Sequence, residues 1–165
     1  MITVVDLALA DADVLAASGF RPAPRTDFRN GQVFTTLVAV ARDGHVVGQL
    51  EGHLHDPGHP LDELGLPRPH AWVGVISVVE RHRRAGAGRA LMAEFARRAQ
   101  KNGATGIGLL AEYADDRDGR IAFFSNCGFT DAWPGTVRDI YVASPDAVLA
   151  ACGGRERPSP GSGTT

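Results

Sequence analysis

Residues 76–92 read ISVVERHRRAGAGRALM. An apolar run, Ile76 to Val79, gives way to Arg81, His82, Arg83 and Arg84. Gly86 and Gly88 then flank an alanine, and a helix-forming run follows. The chain thus puts its densest positive charge and its loosest backbone at the mouth of a helix. A helix N-terminus carries N–H groups without intrahelical partners and a partial positive charge. Glycines there let an anion approach the backbone, because no Cβ stands in the way. A phosphate or pyrophosphate is the natural guest. A glycine-eased turn with solvated arginines accounts for the same residues, so the surrounding sequence has to decide.

Two nucleotide motifs fail. A P-loop needs lysine and then serine or threonine after its second glycine, and neither is present. The dinucleotide fingerprint needs a small residue where Leu91 stands.

The 165 residues suit one domain with a sizeable core. The formal net charge of -2 gives no global basic field for nucleic acid, so the charge near Arg83 is local. Cys127 and Cys152 are too few for a disulfide framework and have neither zinc nor redox spacing. A reducing, cytoplasmic setting is the default expectation. No apolar run reaches the length of a membrane span, and no signal peptide is read.

Working outward, the pattern predicts strands at residues 2–9, 32–42, 45–55, 71–79, 105–111, 129–133 and 137–142. Helices are predicted at 11–18, 86–101 and 117–126, the last two stopped by Asn102-Gly103 and Gly128. Asp43-Gly44 reads as a hairpin turn. Residues 56–70 carry Pro57, Pro60, Pro67 and Pro69 and cannot stay regular for long. The tail from residue 153 is poor in apolar residues and reads as disordered, leaving one domain over 1–152. The order predicts a single α/β (α+β) domain with a mixed central sheet flanked by helices.

The stretch resembles the acyl-CoA-binding signature of the GNAT superfamily of N-acyltransferases. Arg83, Gly86 and Gly88 match its Arg/Gln-x-x-Gly-x-Gly/Ala positions, and Val78 matches the strand valine before them. Downstream, FFSNCGF matches the closing aromatic-x-x-x-Gly-Phe element at Phe124, Gly128 and Phe129. The resemblance implies a mostly antiparallel sheet in which two parallel strands splay apart at a bulge. It implies acetyl-CoA, or another acyl-CoA, as co-substrate. The backbone N–H groups of Arg84, Ala85, Gly86, Ala87, Gly88 and Arg89 would hold its pyrophosphate, and Val78 would bond the pantetheine arm. It also implies direct transfer to an amine of a small molecule or peptide, and a homodimer as a common state. The N–H of Val79 is the candidate oxyanion donor.

The sequence departs from the family at the chemistry. Phe124 stands where many members have a tyrosine acid, and Trp72 where some have a glutamate base. Either Tyr113, Ser125 or a water supplies the proton instead, or the thiolate leaves unaided. On the strand from 46 to 55, Gln49, Glu51, His53 and His55 share one face, which is either solvated or lines a cleft. Glu51 and His53 are therefore candidate bases, with Glu112 a further one. His53, His55, Asp56 and His59 lack convincing zinc spacing, and no metal is expected. Asp56, Asp62 and Glu63 in the proline-rich loop would favour a cationic acceptor, or are ordinary solvated charges. The leading expectation is an N-acetyltransferase. A CoA-binding sensor that lost catalysis is the alternative, motivated by Phe124 and Trp72, and a non-CoA nucleotide binder is third.

Overall fold

The computed structural model describes residues 1–7, 19, 33–56, 60–111 and 116–153. Within them the strands are β1 (Thr3–Asp6), β2 (Val33–Val40), β3 (Val46–Asp56), β4 (His70–Val78), β5 (Gly106–Leu110), β6 (Thr130–Asp131) and β7 (Ile140–Ala143). The helices are α1 (Ala87–Lys101), α2 (Arg117–Asn126) and α3 (Pro145–Cys152). The strands form one sheet in the order β1-β2-β3-β4-β5-β7-β6. Only β4 and β5 run parallel; every other pair is antiparallel. This is the expected mixed sheet. The helix expected at 11–18 lies outside the described residues.

α1 buries Leu91, Met92, Phe95, Ala96 and Ala99, which recur at helical spacing and form one apolar stripe. The stripe lies across β3, where two glycines make room for it. A Cβ on Gly48 would stand 3.3 Å from Leu91, and one on Gly52 would stand 2.9 Å from the Phe95 ring and 2.4 Å from Trp72 O. Leu37, Leu50, Ile107 and Leu109 complete this side of the core. At the far end Arg98 ties α1 to β1, donating to Asp6 at 2.6 Å and to Glu94 at 2.9 Å.

On the opposite face Trp72 lies over β5. Its ring fills the place a Cβ on Gly108 would take, 2.5 Å away, and Leu61 packs beside it. Leu61 belongs to a single 3-10 turn at Pro60–Leu64. The end of this proline-rich segment is pinned by His70, which is fully buried, has Nε2 3.0 Å from Leu66 O and Nδ1 3.5 Å from Asp62.

α3 is a helix the strand-and-helix pattern did not predict. Ser144 caps it, its hydroxyl accepting from the Ala147 N–H at 3.1 Å, and Pro145 occupies the first turn. A serine cap followed by proline is a helix-start signal. The helix is only eight residues long, too short for its periodicity to stand out in the sequence. The two closing strands are correspondingly shorter than expected, since the chain turns through Trp133–Thr136 and bends between β6 and β7.

Candidate active site

β4 and β5 pair only from His70↔Gly106 to Val73↔Leu109. Beyond that point β4 follows β3 and β5 follows β7. The divergence coincides with a bulge. Val73 faces Gly52 and Val75 faces Glu51, so Gly74 is an inserted residue. A bulge leaves its extra residue out of the ladder and increases local twist, which turns β4 away from β5.

The ladder fixes which groups line the gap. Val79 N–H donates to Val47 O at 2.9 Å. That bond makes Gly48↔Val78 a non-hydrogen-bonded pair, so the N–H and C=O of Val78 point away from β3. Ile76, opposite Leu50, is two residues back and points the same way. The main chain of Ile76 and Val78 therefore presents donors and acceptors to the gap. Arg83 folds back onto this strand end, with Nε 3.4 Å from Val78 O.

The strand end leads through a short 3-10 turn, Glu80–His82, to the start of α1. Arg84 and Gly86 both adopt left-handed backbone, at φ 66° and 88°. Left-handed residues alternating with ordinary ones, as Arg84 and Gly86 do on either side of Ala85, turn N–H groups to one side and make an anion-binding concavity. The first amide bonded within α1 is that of Ala90, to Gly86 O at 2.9 Å, so the amides of Ala87, Gly88 and Arg89 have no helical acceptor. Arg83, Arg84, Ala85 and Gly86 are exposed, but the Ala85 N–H donates to His82 O at 3.3 Å and, contrary to expectation, is not one of the amides free for the pyrophosphate. The two glycines differ in their surroundings. Nothing lies within 4 Å of a Cβ on Gly86, whereas one on Gly88 would stand 3.0 Å from the Phe123 ring. Gly86 serves the backbone turn, and Gly88 serves the packing of α2 against α1.

A model of the acetyltransferase (GNAT) family matches residues 7–129. The chain belongs to the GNAT family of acetyltransferases. No curated protein matches its sequence. A GNAT-family acetyltransferase from Staphylococcus aureus Mu50 shares the fold at TM-score 0.58 and 13% identity, covering 88% of this chain and 99% of its own. The aminoglycoside 6'-N-acetyltransferase of Acinetobacter baumannii does so at 0.63 and 15%, covering 82% and 95%. The GNAT-family N-acetyltransferase YhbS from Escherichia coli, solved in complex with CoA, does so at 0.58 and 21%, covering 91% and 86%.

In this GNAT chain the polar face of β3 is covered at Gln49 and Glu51 and partly open at His53 and His55. Gln49 and Glu51 are each 2% exposed. Glu51 sits opposite Thr36 and Val75, beside the inserted Gly74 and on the face away from α1. His53 shares that face ~7 Å along the strand. It is half-buried, meets the Phe34 ring edge-on at 5.5 Å, and its Nδ1 is buried without a hydrogen-bond partner among the described residues. Glu51 and His53 are thus brought to the strand segment where the sheet splits. Tyr113 and Glu112 lie outside the described residues, as does His59. Ser125 is exposed.

Several expectations need correction. The Val79 N–H is committed to Val47 O inside the sheet and is not available as an oxyanion donor. Phe124 is 6% exposed and meets the rings of Phe123 and Phe129 edge-on at 5.4 and 6.2 Å; it is Phe123 that reaches the start of α1. The Arg89 side chain does not face the concavity, because its guanidinium donates to Ala151 O at the end of α3. Asp62 is paired with Arg68, and Glu63 with Arg138 at 2.5 Å, so neither is an uncompensated charge for a cationic acceptor. Gly74, Ile76 and Phe123 were not singled out from the sequence. An isolated glycine inside a strand pattern is the signal that finds the bulge.

No helix among the described residues is long and apolar enough to cross a membrane.

Proposed function

We propose that this protein is an acyl-CoA-dependent N-acyltransferase that moves an acetyl group onto a primary amine of a small molecule or peptide. One observation carries the reading: the main-chain edge of Ile76 and Val78 that β5 leaves unpaired runs directly into the amides at the start of α1 that lack a helical acceptor. A pantetheine arm needs amide partners, a pyrophosphate needs convergent N–H groups, and the two lie in that order in CoA. The residues therefore fit the group. When bound, acyl-CoA supplies the activated thioester.

The chain's own residues then have distinct tasks. The amides of Gly86 to Arg89 hold the diphosphate, with Arg83 and Arg84 adding local positive charge. Ile76 and Val78 complete their hydrogen bonds with the pantetheine amides, as an added strand would. Glu51, beside the bulge, takes the proton from the attacking amine directly or through water, and His53 is the second base on that face. Phe124 has no proton to give, so Tyr113 is our candidate to protonate the departing thiolate. Structures of similar fold include an aminoglycoside acetyltransferase, which makes amino sugars a sensible part of the acceptor panel.

The test is release of free CoA thiol from acetyl-CoA across a panel of polyamines, aminoglycosides and lysine peptides. Turnover above hydrolysis supports the reading. Tight binding of acetyl-CoA without turnover on any amine supports instead the sensor, which the phenylalanine at 124 favours.

A further inference from the structure

Cys127 caps the C-terminus of α2, and Cys152 is the last residue of α3. Both are free thiols inside the core, 0% and 7% exposed. The two helix ends meet there. A Cβ on Gly128 would stand 2.8 Å from Ala147 O and 3.5 Å from Ala151 Cβ, so the turn after α2 rests on the last turns of α3. The thiols are hydrogen-bonded to each other, and the positive charge of Arg89 acts on both. Acyl transfer makes no use of them.

The pair is asymmetric. The hydrogen bond from Cys127 lowers Cys152 below the usual thiol value, against the effect of burial and with the help of Arg89. The same hydrogen bond, together with burial, raises Cys127. Cys127 is fully buried, whereas Cys152 keeps 7% exposure at the end of its helix, so Cys152 is the sulfur that an oxidant reaches first and Cys127 is the one placed to resolve it. Cys152 also sits at a helix terminus, where local opening is cheapest and a small oxidant gains access.

We propose that Cys127 and Cys152 form a reversible oxidation site that closes to a disulfide between α2 and α3 when the protein meets a peroxide. The Cys152 thiolate attacks one peroxide oxygen, the O–O bond breaks, and the other oxygen leaves as water after taking a proton. Cys152 becomes a sulfenic acid, oxidised by two electrons as the peroxide is reduced. The Cys127 sulfur then attacks the Cys152 sulfur. The S–S bond forms, the S–O bond breaks, and hydroxide leaves with the Cys127 proton as a second water. A thiol reductant reverses the process. The cross-link joins the cap of α2 to the end of α3 and restrains the chain between them in the unfolded state.

The test treats the full native chain with hydrogen peroxide, blocks remaining thiols after unfolding, and maps peptides by mass spectrometry without reduction. The expected product is an intramolecular Cys127–Cys152 disulfide, reversed by dithiothreitol, with a melting temperature above that of the reduced protein. In Cys127→Ser, or in Cys127→Ala if the serine variant folds poorly, dimedone should label Cys152. The proposal is overturned if both thiols remain alkylatable after peroxide, if Cys152 is oxidised to sulfinic or sulfonic acid without joining Cys127, or if the only disulfides are between chains.

Discussion

Glu51 on β3 stands directly opposite Val75 on β4, one residue past the glycine at which β4 parts from β5. A carboxylate is therefore held beside the mouth of the split, 2% exposed, by strands on both sides. With Glu51 as the base, Glu51→Gln should lower kcat for an accepted amine by about 100- to 10,000-fold. KM for acetyl-CoA should change little, and the acidic limb of the pH–rate profile should disappear. An unaltered profile assigns the base elsewhere, His53 first.

Gly52 is the point where the sheet and α1 come closest. An alanine there would set its Cβ 2.4 Å from the main-chain oxygen of Trp72 and 2.9 Å from the Phe95 ring. Backbone cannot yield as a side-chain tip can. Gly52→Ala should destabilise the protein by about 3 kcal/mol, read as a lower urea midpoint with the same m value. Melting equal to the wild type would contradict this packing.

Gly86 has no neighbour within 4 Å of a Cβ but holds φ at 88°. Gly86→Ala should therefore cost only the left-handed penalty, about 1–2 kcal/mol. If relaxation of the turn moves the amides of α1, acetyl-CoA affinity falls more than stability does. Calorimetry beside thermal melting separates the two effects.

Ser144 closes the start of α3 by accepting from the Ala147 N–H. Ser144→Ala should cost about 1 kcal/mol, while Ser144→Asp should retain most of the stability. Denaturant titration of the pair checks the assignment of this cap.

The sequence was most legible where backbone chemistry leaves few choices. Gly86 and Gly88 after an apolar strand pointed to an anion at a helix start, and the observed turn carries left-handed backbone at Arg84 and Gly86. The apolar run into Val78 pointed to a central strand, and β4 lies between β3 and β5. Side-chain environments were less legible. Alternation put Gln49 and Glu51 on a polar face but could not say that this face is covered, because cover comes from residues distant in sequence. Asp62 and Glu63 read as acceptor-facing or solvated charges; Asp62 is paired with Arg68 six residues along the same loop, and Glu63 with Arg138, which becomes a neighbour only once the sheet is formed. The roles of Gly88 and Phe123 emerge only from the packing of α2 on α1. The same is true of the thiol pair, whose members are remote in sequence until two helix ends meet.

The central claim is that the split in the sheet and the start of α1 together hold CoA. Isothermal calorimetry of acetyl-CoA against the wild type and Gly86→Glu tests it most directly. The variant, checked by melting to be folded, places a carboxylate where the amides converge. The account predicts saturable one-to-one binding by the wild type, weakened about 100-fold or more in the variant through charge repulsion and displaced amides. No binding by the wild type, or equal affinity in the two proteins, would contradict it.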